Sequence, residues 1–154
     1  MRKKEREITD IAEIEAIISS ADVCHIAFAD GNMPYLVAMN FGYCGGDEKR
    51  LFFHCALEGK KIELMKKNNY VCFEIDTGHS IVTGEQACDY TMKYSSVVGY
   101  GYLQIARDSV EKISGLNYIM IHYGGTEKYS FRSTALEKTL VLRLDIKEMT
   151  AKRS

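Results

Sequence analysis

Residues 51–67 read LFFHCALEGKKIELMKK, and this stretch carries the strongest structural signals in the chain. Its first four residues, Leu51 to His54, have the apolar and aromatic character of a β-strand, which here ends at a histidine. After a short turn, Gly59 followed by Lys60 and Lys61 opens a segment with the apolar spacing of a helix. The stretch therefore predicts a strand, a turn and a helix whose first residues are cationic.

Two lysines at a helix start oppose the helix dipole, which favours anions at that end and cations at the other. Lys60 and Lys61 are thus expected to have a negatively charged partner. The free backbone N–H groups of a helix start and two ammonium groups together have the properties of a phosphate site. This interpretation predicts a phosphorylated small molecule as the ligand. The alternative is a solvated, lysine-rich helix face that also includes Lys66 and Lys67.

The composition is that of an ordinary globular domain, and we expect a single domain over residues 1–154. Apolar residues make up 46% and charged residues 27% of the chain, which suffices for a buried core. The formal net charge of −1 provides no overall attraction to nucleic acid or acidic lipid. No apolar run reaches the roughly 18 residues of a membrane span, and residues 1–7 are not followed by the apolar region of a secretory signal. We therefore expect a cytoplasmic protein without a nucleic-acid or membrane partner.

The spacing of cysteines and histidines predicts no metal site. The five cysteines include no C-x-x-C pair, and we expect reduced, mostly buried thiols. His25, His79 and His122 lack partners at metal-ligand or triad spacing and are expected to be structural or exposed. His54 has two interpretations: a histidine with a satisfied hydrogen bond, or a group that faces an anion or a substrate.

Periodicity and turn signals predict a mainly β chain with inserted helices, an α+β class. Helices are expected over about 10–20, 61–68 and 109–123. Strands are expected over 23–29, 34–43, 51–54, 70–76, 94–106 and 139–146. Residues 77–80 are expected to be a break and residues 126–138 a polar loop, while residues 81–93 have no assignment. Gly99 and Gly101 indicate a bulge or a close backbone approach.

Strands in antiparallel order with inserted rather than alternating helices argue against a Rossmann sheet. They favour a closed or half-closed β-barrel. The ten tyrosines and seven methionines exceed what such a barrel needs and suggest an additional buried surface between subunits.

Several blocks of the sequence resemble those of a known family. They are Arg6-Glu7-Ile8, then Pro34-Tyr35-x-Val37-x-x-Asn40-Phe41-Gly42-Tyr43, then Phe53-His54-x-Ala56-x-Glu58-Gly59-Lys60-Lys61. The match continues through Val71-Cys72-Phe73-Glu74, Ser96-Val97-Val98-x-x-Gly101 and Ile146-x-Glu148-Met149-Thr150-x-Lys152. Over nearly its whole length the chain resembles the nitroimidazole-resistance (Nim) proteins, a branch of the pyridoxamine-5′-phosphate-oxidase-like flavoproteins.

The resemblance implies a split β-barrel homodimer that binds FMN at the subunit interface. Residues 38–40 would lie beneath the flavin and offer backbone groups to its pyrimidine edge, and Ser96 would lie near the ring or its side chain. Lys60 and Lys61 would occupy the phosphate segment, and His54, the expected catalytic residue, would stand with Cys55 at the strand end before it. The implied cofactor-binding set is Ala38, Met39, Asn40, His54, Cys55, Lys60, Lys61 and Ser96.

Departures from the oxidases decide which activity the resemblance implies. The arginine that opens their second-strand flavin motif has no counterpart here, and the chain has no tryptophan, which argues against oxidation of pyridoxamine phosphate. The resemblance instead implies an FMN-dependent reductase of nitro-aromatic compounds such as 5-nitroimidazoles, hence detoxification.

The sequence does not indicate the electron donor, because the dinucleotide-binding fingerprint G-x-G-x-x-G does not occur in it. Two alternatives remain: a flavin- or other cofactor-binding protein without turnover, and a haem- or other flavin-linked reductase of the same fold.

Overall fold

An antiparallel β-sheet is the largest part of the computed structural model, which describes residues 4–125 and 129–154. Within these residues the strands are β1 (Glu7–Ile8), β2 (Cys24–Asp30), β3 (Met33–Met39), β4 (Phe41–Cys44), β5 (Arg50–Cys55), β6 (Tyr70–Val82), β7 (Thr91–Ile105) and β8 (Leu140–Arg153). Their order is β3-β2-β6-β7-β8-β5-β4, and β1 pairs with the far end of β8. The prediction of a mainly β chain with inserted helices is confirmed, and the arrangement is consistent with a split barrel.

The helices in the described residues are α1 (Ile11–Ser20), α2 (Lys60–Lys67), α3 (Ser109–His122) and the short α4 (Ser133–Glu137). Two of them begin beside residue types that cap helices, for which the sequence offers Thr9 or Asp10 at α1 and Asp108 or Ser109 at α3, and the aspartate is the N-cap in both. The Asp10 carboxylate accepts a hydrogen bond from the Ala12 N–H at 2.7 Å, and the Asp108 carboxylate accepts one from the Glu111 N–H at 2.9 Å. Such caps satisfy N–H groups that the first helical turn leaves unpaired.

The two faces of the sheet are packed against different helices, as two neighbouring residues of β5 show. Phe53 points into the main core, where four phenylalanines are almost fully buried and α1 and α2 add apolar side chains. Phe52 points to the other face and packs with Ile119 of α3 and Val141 of β8. Neighbouring strand residues point to opposite faces, so α3 covers the outside of β5 while α1 and α2 contribute to the inside.

The strand predicted over residues 34–43 is in fact two strands, separated at Asn40. Strand β3 pairs with β2, whereas β4 pairs with β5, so the chain changes neighbours at this residue. Local periodicity cannot detect the change, because the residues on both sides of Asn40 have strand character. The break matters because it exposes Asn40 beside a cavity described below.

Two other strands are longer than predicted. Residues 77–80 do not end β6; the register shifts between Thr77 and Ser80, Gly78 adopts φ +71°, and pairing with β7 resumes at Ser80 opposite Lys93. Residues 81–93 therefore form the end of this hairpin. Strand β8 continues to Arg153 rather than ending at residue 146, because its polar second half pairs with β7.

Two predictions about smaller features have mixed outcomes. The bulge expected at Gly99 and Gly101 is confirmed by a register shift between Tyr100 and Gly101, and a Cβ at Gly99 would lie 2.5 Å from the Phe73 ring. The predicted polar loop over 126–138 contains α4, and its residues 126–128 lie outside the described residues.

All five cysteines are free, but the prediction that most are buried is wrong. Cys24 is buried, Cys88 is exposed, and the other three are half-buried. None of the helices in the described ranges has the length and apolar character that crossing a membrane requires.

Candidate functional site

A cavity of about 510 Å³ opens where four parts of the fold meet. These are the end of β3 with the break at Asn40, the end of β5, the first turn of α2, and the two residues that precede β8. The lining residues are Val37, Ala38, Met39, Asn40, His54, Cys55, Ala56, Lys61, Lys138 and Thr139. Residues 51–67 therefore supply one wall of the cavity, through the end of strand β5 and the start of helix α2.

Six of the eight residues expected to bind a cofactor line this cavity: Ala38, Met39, Asn40, His54, Cys55 and Lys61. They come from three elements that are separated in the sequence, so the sheet topology brings them together. His54 follows Phe53 on β5 and is exposed, on the same face of the sheet as Phe52. Its imidazole is therefore available to a molecule in the cavity.

Lys60 is placed differently from its neighbour. Its ammonium lies 3.2 Å from the Asp30 carboxylate and 4.9 Å from the centre of the Tyr35 ring, and it does not line the cavity. Asp30 ends β2 and Tyr35 belongs to β3, so Lys60 holds the start of α2 against this hairpin. The negative partner predicted for the two lysines is, for Lys60, a side chain of the same protein.

Ser96 lines a second, smaller cavity of about 230 Å³ together with Val98, Thr150 and Lys152. It is buried on β7, opposite Asp76 on one side and Lys152 on the other. Neighbouring Val98 is separated from Ala38 by three strand spacings, through His25 and Glu74, which amounts to roughly 14 Å. The chain thus holds six of the predicted cofactor residues at the main cavity and Ser96 at a second one.

Lys138 and Thr139 line the main cavity, although no sequence pattern indicated either of them as a site residue. Lys138 is at the end of a segment interpreted as a polar loop, and Thr139 is the first residue of a predicted strand. Their position depends on the pairing of β8 with β5, which sets Leu140 opposite Cys55. No local pattern in the sequence reports that pairing.

The charged groups in the cavity wall are cationic. Two lysines line it, on α2 and before β8, and its lining includes no aspartate or glutamate. Burial raises the pKa of the Cys55 thiol, and nearby Lys61 opposes part of that rise. At the start of α2, Gly59 is the N-cap and offers no side chain, and the Ile62 and Glu63 N–H groups donate to its carbonyl, which leaves the N–H groups of Lys60 and Lys61 for a ligand. The wall is therefore suited to an anion.

A separate cluster on the outer face combines His25, Glu74 and Asp76, whose ligand atoms all lie within 4.8 Å of one another. His25 is 3.3 Å from Glu74, and His79 is 2.8 Å from Asp76. Burial raises the pKa of Glu74 and Asp76 adds to the rise, while His25 and Lys152 oppose it. The carboxylates already have cationic or hydrogen-bonding partners, so we assign no metal to this cluster.

Comparison with known proteins agrees with the geometry. A family model described as pyridoxamine 5′-phosphate oxidase matches residues 10–153, which is almost the entire chain. The chain belongs to this family. The match includes every lining residue of the cavity, and it confirms the family resemblance that the sequence blocks indicated.

A solved structure from Bacteroides thetaiotaomicron VPI-5482, provisionally named a 5-nitroimidazole antibiotic resistance protein, is 35% identical. The alignment covers 96% of this chain and 86% of that chain, with a TM-score of 0.82. A search of curated protein sequences gives no match.

Two more distant structures share the fold. The flavocytochrome Anf3 from Azotobacter vinelandii is 18% identical, with 100% of this chain and 72% of that chain covered and a TM-score of 0.81. An FAD and haem binding protein from Mycobacterium smegmatis is 15% identical, with coverages of 97% and 73% and a TM-score of 0.81. At these identities the likeness concerns the fold alone.

Proposed function

We propose that the protein is an FMN-dependent reductase of nitro-aromatic compounds such as 5-nitroimidazoles, and that it acts as a homodimer. The observation that carries the proposal is the cavity that collects Asn40, His54 and Lys61 with their neighbours from three separate elements. The 35% identity to a protein provisionally named for 5-nitroimidazole resistance supports this substrate class.

The residues of the cavity divide into two chemical roles. Backbone groups of residues 38–40 are suited to hold the polar edge of a flavin ring, and Lys61 at the start of α2 is suited to hold its phosphate. A bound flavin would supply the electron transfer that the amino acids cannot.

The proposal assigns to His54 the role of proton donor to the substrate. Each two-electron reduction of a nitro group consumes two protons, and an exposed imidazole in the cavity wall can supply one and be reprotonated from solvent.

A homodimer would reconcile the two places in which one protomer holds the predicted residues. Exposed apolar side chains lie on the outer face of the sheet, with Leu36 62%, Tyr100 40% and Tyr102 42% exposed. A second copy that covers this face would remove them from water and could bring Ser96 of the partner subunit toward the main cavity. Membership of the family supports the same arrangement.

The proposal is tested by titrating the purified protein with FMN, recording the absorption spectrum near 450 nm, and then supplying an anaerobic reductant and a 5-nitroimidazole. We expect a bound, perturbed flavin spectrum at one FMN per subunit and its reoxidation by the nitro compound. If FMN binds and is reduced but the nitro compound does not reoxidise it, the alternative of a cofactor-binding protein without turnover is correct. If no flavin binds, both interpretations fail.

A further inference from the structure

Two different parts of the fold place a lysine in the wall of the main cavity, and this pair differs from the adjacent pair, Lys60 and Lys61, that the sequence suggested. Lys61 lies on α2, whereas Lys138 lies between α4 and β8. Lys60, the other member of the sequence pair, is bound to Asp30 and Tyr35 and faces away from the cavity. The second cation of the site therefore comes from a part of the chain 77 residues further on.

Neither cavity lysine is neutralised by the protein as far as the described ranges 4–125 and 129–154 extend. The ion pairs found there involve Lys60 and other groups, but neither Lys61 nor Lys138. The lining contains no carboxylate that could serve as a partner. Two ammonium groups that share one cavity repel each other, and a doubly charged anion between them would remove that cost.

The backbone around Lys138 is fixed by hydrogen bonds, so its wall is a defined part of the fold. The Lys138 N–H donates to the Ala135 carbonyl at 3.2 Å, and the Thr139 hydroxyl donates to the same carbonyl at 2.9 Å. Immediately afterwards Leu140 pairs with Cys55, which joins this wall to the end of β5. Lys138 is thus anchored beside His54 and Cys55 although it is distant from them in sequence.

We infer that Lys61 and Lys138 form a two-sided clamp for the terminal phosphate of the cofactor, a phosphate monoester, and that Lys60 only positions α2. The inference rests on the proposed function, since it takes FMN as the ligand. A monoester phosphate carries close to two negative charges at neutral pH, which matches two ammonium groups from two walls.

The test compares FMN with riboflavin, which has the same ring system and no phosphate. Dissociation constants for both flavins are measured by fluorescence quenching for the wild type and for Lys138→Ala, Lys61→Ala and Lys60→Ala. Lys66→Ala is the control, because it removes a charge from the same helix outside the cavity. Circular dichroism and thermal unfolding establish that each variant is folded.

We expect Lys138→Ala and Lys61→Ala each to weaken FMN by about tenfold or more and to leave riboflavin unchanged, because each removes a charged hydrogen bond to phosphate. Lys60→Ala and Lys66→Ala should change neither flavin by more than about twofold. Unchanged FMN affinity in Lys138→Ala, or an equal loss for both flavins, would overturn the clamp while leaving the flavin proposal standing. A wild type that binds neither flavin would overturn both.

Discussion

The ammonium of Lys60 lies 3.2 Å from the carboxylate of Asp30, and this pair joins the start of α2 to the end of β2. The Tyr35 ring lies beneath the same ammonium at 4.9 Å. Two adjacent lysines therefore have different roles: Lys60 stabilises the packing of the helix, and Lys61 faces the cavity. The division explains how two cations can stand at a helix start, where the dipole disfavours them.

The first prediction concerns the stability that Lys60 contributes. Because its side chain is 47% exposed, the ion pair and the cation–π contact together should be worth only about 0.5–1 kcal/mol. Lys60→Ala should lower the free energy of unfolding by that amount in urea titrations. Asp30→Asn should have a similar effect, and the double variant should lose less than the sum of the two. Additive losses would mean that the two groups do not interact in solution.

The second prediction concerns the contact between α3 and β4. A Cβ at Gly42 would collide with the backbone of Tyr118 and Ile119, which cannot rotate away as a side chain can. Gly42→Ala should therefore shift α3 from the sheet and lower the free energy of unfolding by roughly 1–3 kcal/mol or more. Gly45→Ala is the matched control, since its Cβ would meet the carboxylate end of the Glu15 side chain, which can move. Equal losses in the two variants would contradict this interpretation.

The third prediction concerns a pH-dependent ion pair beneath α3. Arg143 is buried and donates hydrogen bonds to Glu111 and Asp145. Burial alone would raise the pKa of Glu111, but hydrogen bonds from the Arg107 backbone and from Arg143 outweigh it and lower the pKa to about 2. A pKa depressed from 4.5 to about 2 stabilises the folded protein by about 3 kcal/mol at neutral pH.

This stabilisation is present above pH 4.5 and is lost as the pH falls from about 4.5 to about 2, because the unfolded carboxylate takes up its proton first. Glu111→Gln should therefore be less stable than the wild type at pH 7, with the gap shrinking by about 3 kcal/mol on acidification to pH 2. Unfolding in urea across this pH range measures the gap. Glu85→Gln, at an exposed position in the β6–β7 hairpin, should show a small gap at every pH. A gap for Glu111→Gln that is independent of pH would show that the carboxylate is not paired.

The sequence alone predicted much of the fold, because the deciding signals were local. The strand and helix of residues 51–67 and the caps Asp10 and Asp108 depend on residues a few positions apart. The features that the sequence did not predict depend on contacts between residues that are far apart in the chain. The break at Asn40 reflects a change of neighbouring strand, and the partner of Lys60 is Asp30 on another strand. Lys138 was missed for the same reason, since the pairing of β8 with β5 places it in the cavity.

The fourth prediction concerns His54. If its imidazole donates a proton to the substrate, His54→Ala should lower kcat/KM for a 5-nitroimidazole by about 10²-fold or more while FMN affinity stays within about twofold. The control is His79→Ala, because His79 is exposed and bound to Asp76, outside the main cavity. Loss of FMN affinity in His54→Ala would instead make the imidazole a cofactor ligand. Normal turnover and normal FMN affinity in His54→Ala would mean that His54 has no role in the reaction or in FMN binding.

The fifth prediction tests whether two subunits share one site. Lys61→Glu places a negative charge in the main cavity, and Ser96→Phe fills the smaller cavity on the outer face. Each variant alone should form inactive homodimers if the cofactor contacts Lys61 of one subunit and Ser96 of the partner subunit. When the two variants are unfolded, mixed in equal amounts and refolded, half of the dimers should be mixed. Each mixed dimer has one site with both native residues, so activity should recover to about a quarter of the wild-type value.

Recovery of activity on mixing distinguishes a site shared between two subunits from a site within one chain. If a single subunit supplied both residues, every subunit in the mixture would still carry one defect and no activity would return. Sedimentation of each variant before mixing checks that both are dimers, so that failure to associate is not mistaken for an unshared site. Activity restored by mixing would also explain why Ser96 lies on β7, three strand spacings away from β3 and the main cavity within one protomer. Mixing without recovery would mean that Lys61 and Ser96 do not form a site across the interface, whereas a Ser96→Phe homodimer that is active by itself would mean that Ser96 has no role in the site.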